Sequence, residues 1–298
     1  MNAFENLKPF SKIVYLFVFC LAGLFLAASF ITIADGFWDK QIMQLPWGMR
    51  IGSGVQMVFM FLMPAVTLVK WSGHKPIDYL ALSRTQNSSS YTLYILAFLI
   101  LFIAMPFITL LSQINQAIVL PNWLSGVEMW MKNLEESAQN TTDLLLEGAS
   151  VWDYLGNILF IGVFAAVAEE VFFRGVLQQL LSKLFKSNDA GVWIGAFIFS
   201  LMHMQFYGFI PRIVLGAMLG YLFVFSGSLW LPIFVHFMNN AFVVTLNFFL
   251  SDNLFYQYLV EPPITFIFLV VGIISLSLLI YLFKVFKLKA TNKVIPIG

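Results

Sequence analysis

From Ile13 to Ala34 the chain carries no charged side chain, and the run from Thr265 to Phe283 carries none either. A helix rising about 1.5 Å per residue needs about 20 apolar residues to cross the hydrocarbon core of a bilayer. In that core every backbone polar group must be hydrogen-bonded within the segment, which leaves helices and closed barrels as the possible folds. Eight stretches meet the helical requirement, at approximately 12–33, 50–70, 91–113, 152–173, 190–206, 209–226, 229–250 and 263–284. Composition agrees: 60% of residues are apolar and 10% charged, where a soluble domain carries roughly 25% charged. The expected fold is all-α, a polytopic membrane bundle of about eight transmembrane helices forming a single integral membrane domain over 1–298. The first run lacks a small-residue cleavage site and reads as a retained span.

Loop charges set orientation, because lysine and arginine accumulate on the cytoplasmic side. Lys8 and Lys12 precede the first run; Lys70, Lys75 and Arg84 follow the second; Lys183 and Lys186 follow the fourth; Lys284, Lys287, Lys289 and Lys293 follow the eighth. Glu128, Glu135, Glu136, Asp143 and Glu147 fill the long segment 114–150, and Asp252 and Glu261 come later. Both termini are therefore expected in the cytoplasm. Arg212 is the exception, on a connection expected outside. Trp123 and Trp130 of the long segment suit the membrane interface. Residues 174–188 repeat apolar positions at helical spacing, which fits either a helical extension or an interfacial segment. The net charge of +1, with no basic run interleaved with aromatics, gives no sign of a nucleic-acid partner. Cys20 is the one cysteine, so an intrachain disulfide and a thiolate metal cluster are excluded.

Against this background "AEEVFFRGVLQ", residues 168–178, stands out. Ionisable side chains at membrane depth cost several kcal/mol or more and mark function or a tight pairing. Glu170 and Arg174 are four apart and share a helix face, acid before base. Glu169 is turned about 100° away and has no partner on its own helix. A structural ion pair would account for Glu170 and Arg174 but not for Glu169, which is left as a general base or acid. Two histidines, His203 and His236, lie in later apolar runs, whereas His74 lies in a basic loop. His236 and Asn240 are one turn apart on one face, and Asn239 lies nearly on it, so spacing alone does not separate the two asparagines. A base, two imidazoles and an amide donor are the groups that water-driven amide hydrolysis needs. Two histidines and a glutamate with an open fourth position also describe a hydrolytic zinc site, from Glu169, His203 and His236.

At these residues the sequence resembles the CAAX-protease and bacteriocin-processing (CPBP, abortive-infection) family of intramembrane proteases. Its three motifs occur in order: E-E-x-x-x-R as Glu169 to Arg174, F-x-x-x-H as Phe199 to His203, and H-x-x-x-N as His236 to Asn240. The resemblance covers about 150–245, the expected catalytic core. It implies an intramembrane endopeptidase in which Glu169 and His203 activate water, His236 and Asn240 form the oxyanion hole, and Glu170 and Arg174 orient the site. The family name often includes "metalloprotease"; the resemblance favours a mechanism without an obligatory metal, with zinc on Glu169, His203 and His236 as the alternative. The implied partners are a peptide or protein substrate, in some members lipidated, and the lipid bilayer.

Rival protease chemistries lack their residues. No histidine begins an H-E-x-x-H motif; Asp35 and Asp39 sit at a helix exit; Gly52-Ser53-Gly54 only distantly resembles a rhomboid serine motif. A non-enzymatic alternative remains, a proton-coupled transporter or an immunity or scaffold protein, since buried Glu, His and Arg also build relays. Internal similarity between halves, common in transporters, is not visible. His203 falls roughly 18 Å into its helix, so bringing it to Glu169 requires a tilted helix or one helix continuing from about 152 to 185. The second is expected, with Glu169 near mid-length and no break at Gly175, and with a cavity open toward the cytoplasm and lipid.

Overall fold

A computed structural model describes residues 4–37, 42–83, 91–251, 253 and 265–290, and the described residues contain helices and no strands. Among the described residues seven helices are long and apolar enough to cross a membrane: α1 (Pro9–Phe37), α2 (Pro46–Trp71), α3 (Tyr91–Gln116), α5 (Val151–Phe185), α7 (Phe206–Ser226), α8 (Trp230–Leu250) and α9 (Phe266–Ala290). The chain is thus a multi-pass membrane protein. The remaining expected span, 190–206, differs: its helix α6 (Asn188–Met202) has 15 residues and falls short of a crossing. The apolar run continues past Met202, but the backbone turns at 203–208 and a short 3₁₀ turn, Phe206–Gly208, leads into the regular α-helical part of α7. Orientation stays an expectation from loop charge; Asp39, Arg84, Asp252, Glu261 and Lys293 lie outside the described residues.

The segment 114–150 forms α4 (Ser125–Leu146), an amphipathic helix with no buried residue. It rests against the turn after α6, where Trp130 meets Phe206 at 5.3 Å between ring centroids and Tyr207 N donates to Glu135 at 3.3 Å.

α5 is the central element. Ser150 opens it with a capping box: its hydroxyl accepts from Asp153 N at 3.1 Å while Asp153 accepts from Ser150 N at 3.2 Å. It continues for 35 residues to Phe185, so 174–185 is a helical extension, and Gly175 does not break it. Lys186, in the left-handed conformation at φ 52°, ends it, and Ser187 caps α6. Two wide π turns interrupt its regular winding, at Ile158–Phe164 and Phe173–Gln178, on either side of Glu169 and Glu170. A third, Val58–Leu62 in α2, precedes Pro64, where the widened turn relieves the clash between the proline ring and the carbonyl four residues back.

Two apolar cores flank α5 and α7. One gathers Leu16, Phe61, Leu68, Phe172, Phe173 and Leu177 from α1, α2 and α5. The other joins Ile100, Leu101, Leu219, Leu231 and Phe286 from α3, α7, α8 and α9. The outward faces of α1 and α9 stay apolar and exposed, for example Phe25, Ile33, Ile267 and Ile273, as lipid contact requires.

Candidate active site

The motif residues converge on the middle of α5. Burial makes an unpaired charge costly there, and Glu170, fully buried, is paired twice. Its Oε1 accepts from Arg174 Nη1 at 2.7 Å and from His236 Nδ1, also at 2.7 Å. The i,i+4 pair read from spacing is therefore present, and His236 of α8 joins it. Glu169, also buried, has no hydrogen-bond partner among the described residues; its Oε2 lies 3.8 Å from His236 Nε2, too long for a direct bond. One imidazole thus spans both carboxylates, bonded to Glu170 and facing Glu169.

His203 caps the C-terminal end of α6. Its Nδ1 is 2.8 Å from Phe199 O. A carbonyl only accepts, so Nδ1 carries the hydrogen and the neutral ring keeps its lone pair on Nε2. The termination of α6 at Met202 is what brings His203 to a helix end instead of deep inside a span. Glu169 lies within electrostatic reach of His203, and so does His236.

Phe199 ties these groups together. Its ring meets His203 edge-on at 4.7 Å, His236 at 6.2 Å and Phe173 at 5.0 Å, and the Arg174 guanidinium lies over it at 4.7 Å. Spacing marks Phe199 only as a motif letter; its contact with both imidazoles and the arginine depends on how α6 and α8 meet α5.

Asn240 lies one turn beyond His236. Its Nδ2 donates to Ile161 O at 2.9 Å, inside the first wide turn of α5, where i→i+4 pairing is disrupted. Asn239 Nδ2 donates to Asn240 Oδ1 at 3.2 Å, so of the two asparagines it is Asn240 that reaches α5. Asn240 makes no direct bond to the Glu169–His236–Glu170 cluster, and its second amide hydrogen is left for another acceptor.

Small residues let the helices close around the site. A Cβ at Gly216 would stand 3.1 Å from Ala196 Cβ, and one at Gly220 would stand 2.8 Å from Gln178 Oε1 and 3.0 Å from Val192 Cγ1. Their carbonyls receive Arg174 Nη2 at 3.0 Å and Gln178 Nε2 at 3.2 Å. The site is thus held by α5, α6, α7 and α8.

The zinc alternative does not fit this arrangement. Among the described residues no group of three or more His, Cys, Asp or Glu side chains is gathered tightly enough to hold a metal ion. The Nδ1 bonds of His236 to Glu170 and of His203 to Phe199 O fix the orientation of both rings. His74 stands apart beside Tyr79, at 5.0 Å between ring centroids. The arrangement instead holds a free carboxylate beside two imidazoles whose Nε2 atoms remain open, which suits activation of water.

Comparison with known proteins bears on the same segment. Residues 151–242 match the family described as type II CAAX prenyl endopeptidase Rce1-like. An uncharacterised protein of Bacillus subtilis (strain 168), YpbD, is 30% identical over 89 residues, which is 28% of this chain; the chain spans 42% of that relative's length. No solved structure matches the chain.

Proposed function

We propose that this chain, which through residues 151–242 belongs to the Rce1-like family of CAAX prenyl endopeptidases, is an intramembrane endopeptidase that hydrolyses a peptide bond with water activated by Glu169 and His203. The observation that carries the reading is the division of labour between the adjacent acids. Glu170 is neutralised by Arg174 and bonded to His236, whereas Glu169 is buried without a hydrogen bond among the described residues. A structural ion pair needs only the first of these.

In the proposed reaction Glu169 takes a proton from water, with His203 Nε2 accepting a hydrogen bond from the same molecule. The resulting hydroxide oxygen bonds to the scissile carbonyl carbon and the carbonyl electrons move to oxygen. His236, carrying protons on both nitrogens in this step, donates from Nε2 to that oxyanion while its Nδ1 stays bonded to Glu170. The free amide hydrogen of Asn240 supplies the second donor. Collapse breaks the C–N bond, and the proton held by Glu169 passes to the leaving amine. Arg174 and Phe199 keep Glu170 and both imidazoles in place. Substrate enters from the membrane as a peptide, in its lipidated form with the lipid chain between helices.

The test uses full-length protein in liposomes and a fluorogenic peptide in farnesylated and unmodified forms. Glu169→Gln and His203→Ala each remove cleavage, and extensive chelation leaves wild-type cleavage in place. Cleavage that survives both substitutions sinks the endopeptidase reading. Proton-coupled solute flux in vesicles where no cleavage ever occurs would establish the transporter alternative instead.

A further inference from the structure

Arg212 stands at the level of the acid pair and is not used by it. Arg174 and Gln178, four apart on α5, donate to the carbonyls of Gly216 and Gly220, four apart on α7. On these faces the two helices run in parallel register, so one turn earlier Arg212 is level with Glu170. That places the backbone of a partly buried arginine beside the middle of a membrane-spanning segment, where a cation needs an anion or a water-filled path.

The guanidinium has no ion-pair partner among the described residues. Nη1 donates to Gln205 O at 3.1 Å and Nη2 to Gln205 Oε1 at 2.8 Å, two residues past His203. These use two of the five N–H groups of an arginine. Glu135 and, more weakly, Glu169 act on it electrostatically, but neither joins it in an ion pair. Gly208 leaves it room, since a Cβ there would stand 3.2 Å from Nη2. The turn it touches is already pinned by Asn115, which donates to Phe206 O at 2.8 Å and accepts from Ile210 N at 3.0 Å, and by Ser200 on Phe209 O at 2.8 Å. A further charged latch is not needed to hold that turn.

We propose that Arg212 anchors a carboxylate of the substrate next to the water that Glu169 activates, so that the protein selects peptides with a negative charge close to the cleaved bond. This deepens the endopeptidase reading and rests on it. The planar fork of arginine matches a carboxylate, and its charge offsets the repulsion that Glu169 exerts on an incoming anion. The carboxylate is either a peptide C-terminus or an acidic side chain, which share this chemistry.

Full-length protein carrying Glu169→Gln is titrated in detergent with a dansyl-labelled short apolar peptide in three forms: free C-terminal acid, C-terminal amide, and amide with one glutamate near its end. The acid form is expected to bind roughly 10- to 100-fold more tightly than the plain amide, the range of a charged hydrogen bond. Adding Arg212→Gln brings that ratio close to one, and Arg212→Lys retains part of it. If the glutamate-bearing amide matches the acid, the side chain is an accepted source; if it matches the plain amide, the C-terminus is required. Equal binding of all three forms, no binding of any, or an acid preference that survives Arg212→Gln overturns the proposal. So does a loss that strikes acid and amide alike, which is what a merely structural Arg212 produces. Because binding is read with the general base removed, absence of cleavage by the wild type counts against the endopeptidase reading alone and leaves this ratio measurable.

Discussion

At the scale of single residues, the site is a small network of buried charge. Glu170 is 0% exposed and Arg174 2% exposed, so neither can turn to water if the other is lost. Oε1 of Glu170 takes both of its hydrogen bonds, and Oε2 has none within the described residues. Removing one member of such a pair typically costs about 3–5 kcal/mol, because the survivor stays charged and unpaired. Arg174→Ala is therefore expected to destabilise the protein by that order, read as a lowered denaturation midpoint in detergent. Adding Glu170→Gln recovers much of the loss, since it removes the orphaned charge, yet leaves cleavage absent because His236 is no longer held by a carboxylate. Equal instability of the single and double variants would contradict this account. Phe199→Leu tests a different link. It keeps the backbone carbonyl that orients His203 but removes the ring contacts to Arg174 and both imidazoles, each worth about 0.5–2 kcal/mol. The expected outcome is a fall in kcat of roughly tenfold, on the scale of 1.4 kcal/mol, with KM little changed. A change confined to KM would show that Phe199 lines the substrate path and does not position the imidazoles.

At the scale of elements, the two wide turns of α5 bracket the acid pair and change which backbone groups are free. Asn240 takes the carbonyl of Ile161 in the first, and Gln179 Nε2 takes Gly175 O at 2.6 Å in the second. Asn240→Ala leaves Ile161 O without that donor, a cost of about 1–3 kcal/mol where water is absent. Asn240→Asp sets a carboxylate against the carbonyl and costs more. Hydrogen exchange in 158–165 should quicken in both variants, Asp before Ala; unchanged exchange would mean that the amide does not support the turn. The helices themselves were legible because lipid demands long apolar runs, and the Glu170–Arg174 pair because both lie on one helix at fixed spacing. The wide turns were not legible: the side chains of 158–164 are as apolar as those of a regular turn, and the deviation is in the backbone. Residues 190–206 read as a span because they carry no formal charge apart from what His203 can take up, while the turn that ends α6 depends on Asn115 from outside that run and on a bond from Ser200 forward to Phe209 O. Likewise the bond from His236 to Glu170, the reach of Asn240 to Ile161 and the level of Arg212 all depend on the register between helices, which local periodicity does not carry.

At the scale of the molecule, Arg50 joins parts that the site residues do not. It is fully buried in α2, and its guanidinium donates to Asp153 Oδ1 at 2.6 Å, Asn157 Oδ1 at 2.7 Å and Leu145 O at 3.1 Å, and also to Glu147 O. Trp47 lies beneath it, 5.1 Å from the ring centroid. One side chain thus fixes the start of α5 and the end of α4 to α2. A second attachment of α4 lies at the turn following His203, through the Glu135–Tyr207 hydrogen bond and the Trp130–Phe206 ring contact. Since α4 buries no residue of its own, these anchors carry more of its docking than buried apolar surface does. Arg50→Lys keeps the charge but cannot reproduce a fork that serves one carboxylate, one side-chain amide and two backbone carbonyls at once. It is expected to free α4, so that a protease added to the side of α4 cuts within 125–150 many times faster than in wild type, while α5 to α8 stay resistant. Cleavage of peptide substrate should fall less than it does with Glu169→Gln, because the acid pair and both imidazoles keep their partners. If α4 remains protected in Arg50→Lys, its docking rests on the Trp130–Phe206 contact, and the hold of Arg50 is limited to the N-terminal turn of α5.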